Sequence, residues 1–527
     1  MAGLTSAAYL SKAGYKVLLC EKAKKTGGLV NSFTQQGFTF DGGIRAIENS
    51  GIVLPMLSQL GIDIDFVKSP VSIGIENDQV RLSSKASLHD YQKLLVRQFP
   101  DHAEDVARII LAVERTMQQM DILYGIDNPL FHDLKQEREY VFKTVLPWLV
   151  KYLMTIGKAM KNQEPIEKYL GKLTDNQSLI DMIAQHFFQD TPAYFALSYF
   201  SLYLDYRYPK GGTGVIAEKL ERFFIDHQGE LCLSCEIDRI DPEEKRAFTT
   251  DGRVFSYKKL IWTGDQKRLY KAIDMDTFKS SRIQAIVQQK KMAVMDKHGG
   301  DSILSVFLTT DFTPDEIEKS CGPHAFYTPV KKGLHGIDIR SLKMQPSGSE
   351  TDAGFTRDKA ALFDWIRQYE DLTTYEISCP VLRDASLAPH GKSGLIVSTL
   401  MDFSLVRHFS QMGWYEEFKS FSASHIIKVL DNSLLPGLKD KVISWHVSTP
   451  LTIERLTGNT EGAITGWAFT NNMIPAESRF KKINHAVETP VPDIFQAGQW
   501  TFSPSGLPVS ILTGKLAADA VKSALSH

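Results

Sequence analysis

The two ends of the chain carry complementary halves of one motif, which obliges roughly the first 45 and the last 30 residues to build a single site. At the start, Gly3 to Gly14 reads as a small-residue helix with a glycine stop, and Lys16-Val-Leu-Leu-Cys20 as a buried strand ending at Glu21. In a dinucleotide-binding unit the third glycine of Gly-x-Gly-x-x-Gly lets helix and sheet pack closely, and an acid about 20 residues later binds the ribose hydroxyls. Gly3 and Glu21 fit those roles, with Lys22 beside them. The first strand and the two glycines that cradle the pyrophosphate are expected ahead of Met1, so a truncated or misassigned start is the expectation. Thr26-Gly27-Gly28 and Asp41-Gly42-Gly43 flank a short hairpin and bring bare backbone toward a ligand. The competing reading is two glycine-rich turns in an ordinary hairpin.

At the far end, Asp493-Ile-Phe-Gln-Ala-Gly498-Gln499-Trp500 is a short apolar strand ending in Ala-Gly, and Ser505-Gly506-Leu507-Pro508-Val509 opens a helix that runs past Gly514. A helix N-terminus offers free N–H groups and partial positive charge, which stabilise negative charge developing on a reduced flavin. Leu507, Pro508 and Val509 are therefore the residues expected beside the ring system, and FAD is the cofactor expected.

At 527 residues the chain exceeds one hydrophobic core, so two or three domains are expected, one inserted into another. A composition of 43% hydrophobic and 23% charged residues fits a folded globular protein and excludes coiled coil, collagen and disorder. A net charge of -2 gives no polybasic field, so nucleic acid is not an expected partner. Five scattered cysteines fit a reducing compartment, and a cytoplasmic address is the default. Cys232 and Cys235 form one C-x-x-C in what reads as a strand, where positions i and i+3 face opposite sides, and no second pair completes a metal site, so no metal is expected. No apolar run long enough to span a bilayer is present, so membrane contact, if any, is expected to be peripheral.

Together with Tyr208-Pro-Lys-Gly211-Gly212-Thr-Gly214, the stretch from Glu230 to Ile240 and Ile261-Trp-Thr-Gly264-Asp265, these ends resemble the phytoene desaturase, carotenoid isomerase and retinol saturase superfamily of flavoproteins, related to amine oxidases. Asp384 to Lys392, Thr449-Pro450-Leu-Thr452 and Thr457 to Gly462 extend the resemblance through nearly the whole chain. It implies that Glu230 to Ile240 and Ile261 to Gly264 are returning strands of an FAD domain, with Gly264 at the cofactor and backbone near Ile237 against adenine. Two positions depart from the pattern: Leu29 stands where members commonly carry arginine, and Gln499 where many carry aspartate. The Ala-Gly-Gln form is more like the saturase and isomerase side.

The fold class expected is α/β: a Rossmann-like FAD-binding domain interrupted by a mixed α+β substrate domain with a helical lid or membrane-facing part. Its expected pieces are an FAD part over 1–75, a mostly helical part over 76–205, a second FAD part over 206–275, a substrate-domain sheet with helices over 276–445, and the closing pieces of both over 446–527. Ser302 to Leu308 and Leu395 to Leu400 read as buried strands, and Gln345 to Thr356 as a polar surface loop. Phe142 to Met160 places apolar residues at helical spacing with Lys143, Lys151, Lys158 and Lys161 between them, a pattern for dipping into a membrane surface or for a core helix with solvated lysines. Phe187, Phe188, Tyr194, Phe195, Tyr199, Phe200, Tyr203, Tyr206 and Tyr208 supply rings for a tunnel or for ordinary core. No hydrolase or Walker motif occurs, and His186, Asp190, Arg45 and Glu48 read as structural, so no catalytic residue is assigned. The function expected is oxidoreduction or isomerisation of carbon–carbon double bonds in a carotenoid-like or other isoprenoid polyene, an apolar small molecule. The alternatives are a flavin amine oxidase and a flavin-binding protein without catalysis.

Overall fold

A computed structural model describes residues 1–159, 162–344 and 354–526. The two ends meet as the motif requires. The helix Ala2–Lys12 buries Leu4, Ala7, Ala8 and Leu10, and the helix Leu507–Ser526 buries Ile511, Gly514, Ala517 and Ala518. They cross at Gly514, where a Cβ would stand 2.7 Å from the Ala2 carbonyl oxygen, and the Ser6 hydroxyl donates to the Gly514 carbonyl at 2.9 Å. Only a glycine admits that approach. Val53, Met56 and Leu57 of the Val53–Leu60 helix, with Ile216 and Leu220 of Val215–Asp226, complete this core.

Beside it lie two parallel strand pairs. Leu18–Cys20 pairs with Glu230–Cys232, and Leu260–Trp262 pairs with Ile494–Gln496. Each pair joins segments more than two hundred residues apart in sequence, the connectivity expected of a unit interrupted by insertions.

The dominant sheet has seven strands in the order Val442–Ser448, Ser302–Thr310, Ser393–Met401, Tyr375–Ser378, His324–Thr328, Val71–Ile75 and Asp78–Leu82. It is mixed: His324–Thr328 and Val71–Ile75 run parallel and every other pairing is antiparallel. One face, with Leu304, Val306, Leu308, Ile377, Leu395 and Val397, packs into a core shared with the helices Lys359–Leu372, Phe403–Gln411 and Tyr415–Asp431. By strand alternation the other face carries Ser305, Phe307, Ser398 and Glu376. The sheet takes in Val71–Ile75, so it begins ahead of the boundary expected at residue 76.

Residues 87–205 are mainly helical, with Ala103–Leu123 packed on both Leu146–Ala159 and Ala193–Asp205. Phe142, Leu146, Leu149, Val150, Leu153 and Met154 form an exposed apolar stripe, with Met154 and Phe142 68% and 67% accessible, so this segment is not a core helix. No helix among the described residues is long and apolar enough to cross a membrane. Met160, Lys161 and residues 345–353 of the expected polar loop lie outside the described residues.

Candidate active site

One cavity of about 1690 Å³ runs from the junction of the chain ends to the cavity-facing side of the seven-stranded sheet. Typical small-molecule pockets occupy about 300–1,000 Å³, so there is room here for a dinucleotide and a second ligand. Its walls include Gly3, Glu21, Lys22, Gly27, Gly28, Gly43, Ile237, Gly264, Gly498, Gln499, Gly506 and Leu507. Pro508 and Val509 lie off the wall: Pro508 is buried, and the Val509 carbonyl accepts from the Thr513 hydroxyl at 2.8 Å inside the helix. Of the three residues at that helix start, the structure brings only Leu507 to the cavity.

The glycine loops are held by close backbone approach. A Cβ on Gly43 would overlap the Leu29 carbonyl, standing 2.7 Å from its carbon. Ile44 N–H donates to the same Leu29 oxygen at 3.1 Å, and Gly42 N–H to the Asn31 oxygen at 2.8 Å. Gly27 and Gly28 adopt φ of 105° and 61°, conformations that favour glycine, and Gly28 has open space where its side chain would project. Behind them Asp41, fully buried, accepts from the Tyr208 hydroxyl at 2.8 Å, the Thr213 N–H and hydroxyl at 2.8 and 2.9 Å, and the Ser32 hydroxyl at 3.0 Å. That carboxylate fastens the Tyr-Pro-Lys-Gly-Gly segment to the hairpin. Reading along the chain took in both segments, Asp41 included, but gave that acid no role in joining them.

Glu21 Oε1 accepts from the Ala23 N–H at 2.8 Å, which orients the carboxylate at the end of its strand. The next strand stops at Cys232. Ser234, at φ 49°, then turns the chain so that the Cys235 N–H donates to the Glu21 carbonyl at 2.8 Å. This corrects the expectation of one strand running through both cysteines. Cys20 and Cys232 are register partners, Arg253 donates to the Cys232 sulfur at 2.7 Å, and burial followed by the Cys235 thiol pushes the Cys20 thiol up.

The far chamber combines rings and charge. Phe187, Phe188, Phe195, Tyr199, Tyr203 and Tyr206 line it opposite Phe307 and Phe326 of the sheet. Arg45, Glu48 and His186 also reach the wall, whereas Asp190 does not. Buried Arg45 donates to the Asp41 carbonyl at 2.6 Å, to the Gly43 carbonyl, and to Ser305 and Ser398 at 3.3 and 3.2 Å, tying the glycine loop to the sheet. His186 Nε2 pairs with the Tyr203 hydroxyl at 3.1 Å, and burial lowers the imidazole to about 4. Burial, then Asp205, pushes the Glu48 carboxyl up to about 7.

Sequence reasoning missed Glu376 and His324, which meet across neighbouring strands at 2.9 Å. Burial acts to raise the Glu376 carboxyl, but the His324 hydrogen bond and the Arg45 and Arg383 guanidinium groups outweigh it and hold it below the usual carboxylate range. No local motif marks such a pair.

The model of the family described as flavin containing amine oxidoreductase matches residues 1–330, well over half of the chain. The chain belongs to that family. Among curated relatives, the inactive all-trans-retinol 13,14-reductase of Danio rerio is 22% identical, covering 100% of this chain and 85% of its own. The chloroplastic prolycopene isomerase 2 of an Oncidium hybrid cultivar is 24% identical over 87% of this chain and 73% of its own. A crystal structure of an oxidoreductase from Methanosarcina mazei shares the fold with a TM-score of 0.61 at 13% identity, covering 99% of this chain and 98% of that one.

The family member described here is an FAD-dependent oxidoreductase with a mixed α/β fold. Its residues fit the cofactor in kind: a glycine-walled groove with open space at Gly28, an acid at the end of a parallel strand, and a helix N-terminus at Leu507 on the cavity wall.

Proposed function

We propose that this oxidoreductase acts on carbon–carbon double bonds of a carotenoid-like or other isoprenoid polyene, by desaturation, saturation or cis–trans isomerisation. The observation that carries this reading is the continuity of the cavity, in which glycine loops open into a chamber walled by Phe187, Phe195, Tyr199 and Tyr203. Long apolar walls orient a polyene by shape and dispersion. Relatives named for a retinol reductase and a prolycopene isomerase support it.

Bound FAD supplies the two-electron chemistry. The chain's own part is to bind, orient and shield. In this proposal Gly3, Glu21, Lys22, Gly27, Gly28, Gly43, Ile237, Gly264, Gly498, Gln499 and Gly506 hold the dinucleotide along a Rossmann-like domain, built from the parts around 1–75, 206–275 and the chain's last strand and helix. The helix start at Leu507, on the cavity wall, would favour negative charge on a bound ring system. The inserted sheet and helices form the substrate domain, and the exposed stripe from Phe142 to Met154 rests on a membrane surface from which an apolar substrate enters.

The experiment is turnover by FAD-loaded protein of a liposome-delivered polyene, compared with primary amines under air. Conversion of the polyene supports the reading; peroxide release with amines and an unchanged polyene would replace it with amine oxidation.

A further inference from the structure

The chamber is not the wall a pure hydrocarbon calls for. Ser448, Ser305, Ser398, Glu376 and Phe326 are successive register partners across five strands, a row that includes four polar side chains, and all but Ser305 line the cavity. Three of the four polar groups have company. Ser305 and Ser398 bond each other at 2.8 Å and accept from Arg45, and Glu376 Oε1 takes the His324 Nε2 at 2.9 Å. Glu376 Oε2 accepts no hydrogen bond among the described residues. The Glu376 side chain is 31% accessible while its partner His324 is 1% accessible, and the accessible part opens on the cavity.

The chemistry that completes this oxygen is narrow. A hydrocarbon brings no donor and would leave a carboxylate against apolar carbon. A protonated amine brings donors, but also an unbalanced positive charge, because Arg45 and Arg383 are already matched by Asp41 and Glu376. A carboxylate would face Glu376 itself, and the terminal guanidinium nitrogens are engaged, Arg45 on two carbonyls and two serines and Arg383 on the Arg45 carbonyl, Ser69 and Ser378, while the unpartnered Nε of each arginine is buried. A neutral hydroxyl donates to Oε2 at no cost in charge.

We propose that Glu376 is the docking point for a hydroxyl on the substrate, so that the class taken by this enzyme is polyene alcohols in preference to polyene hydrocarbons. This rests on the polyene reading and narrows it. Glu376 is a specificity-determining contact, with Ser398 and Arg45 fixing the floor beside it.

The test uses the FAD-loaded full chain, with dithionite as electron donor in one series and a soluble quinone as acceptor in another, and three probes of one skeleton in identical liposomes: all-trans-retinol, the hydrocarbon in which hydrogen replaces the hydroxyl, and the corresponding amine. The expected result is a kcat/KM for the alcohol at least tenfold above that for either analogue. Glu376→Gln, which keeps shape and can still accept a hydrogen bond, lowers the alcohol preference mainly through KM, and Glu376→Leu reverses it in favour of the hydrocarbon. Equal kcat/KM for alcohol and hydrocarbon in the parent enzyme overturns the proposal while leaving the polyene reading intact, as does an equal loss on all probes in both variants. Conversion of neither polyene by protein that retains FAD overturns both. Should Glu376→Leu fail to fold, the parent comparison and Glu376→Gln decide the matter alone.

Discussion

Replacing Gly43 by alanine tests how the glycine loops hold the cofactor groove. The added Cβ would stand 2.7 and 2.9 Å from the carbonyl carbon and Cα of Leu29, against 3.4 Å or more for ordinary contact, so the two loops must part by more than half an ångström. That shift strains the Ile44 N–H bond to Leu29 at 3.1 Å and the Gly42 N–H bond to Asn31 at 2.8 Å. Overpacking costs about 1–3 kcal/mol and one lost hydrogen bond about 1 kcal/mol, giving a combined cost of about 2–4 kcal/mol. If the lower value, about 2 kcal/mol, falls on the cofactor-bound form, FAD binding weakens roughly 30-fold. Equilibrium dialysis of FAD against the variant, with a thermal unfolding scan of the same sample, reads both quantities. Gly157→Ala is the control: Gly157 sits in the Leu146–Ala159 helix with open space around it, and alanine there stabilises by about 0.5–1 kcal/mol. Unchanged FAD affinity and midpoint in Gly43→Ala would refute the idea that backbone contact between these loops shapes the site.

Other perturbations follow from the same geometry. Asp41→Ala strands four donors and should lower stability by about 3 kcal/mol or more, whereas Asp41→Asn keeps an acceptor and costs less; urea denaturation distinguishes them. The Glu48 carboxyl, raised to about 7 when folded, contributes stability that is complete below pH 4.5 and is lost as pH rises toward 7. Glu48→Gln therefore gains on the parent across that window, by at most about 3 kcal/mol and less as cavity water screens the charge, and a pH series of unfolding midpoints checks the sign. Changing Val150, Leu153 and Met154 together to serine should weaken vesicle binding about tenfold or more in co-sedimentation while leaving the fold intact, because these side chains are already exposed.

The chain's two ends were legible because their signals are local. Gly3, Gly43 and the helix after Gly506 answer to turn and capping chemistry written within a few residues, and they came to one cavity once Gly514 let the terminal helices touch. The ring-rich stretch from Phe187 to Tyr206 was legible in kind, although periodicity could not say which rings face the chamber. Other features depend on contacts that no window along the chain contains. Glu376 and His324 are partners only because two antiparallel strands 52 residues apart share a register. Val71–Ile75 joins the large sheet through a parallel pairing with His324–Thr328, which moved the sheet's beginning ahead of residue 76. The placement of both C-x-x-C cysteines in one strand failed on one backbone angle: with Ser234 in the left-handed region, the strand ends at Cys232.

The central claim is best tested by incubating FAD-loaded protein, oxidised in one sample and reduced with dithionite in another, with a liposome-delivered polyene under anaerobic conditions and resolving the products by chromatography with mass spectrometry. The account predicts a polyene altered at a carbon–carbon double bond, by loss of two hydrogens to the oxidised flavin, by gain of two hydrogens from the reduced flavin, or by a change of geometry at constant mass. Recovery of the polyene unchanged from protein that retains its FAD would contradict it.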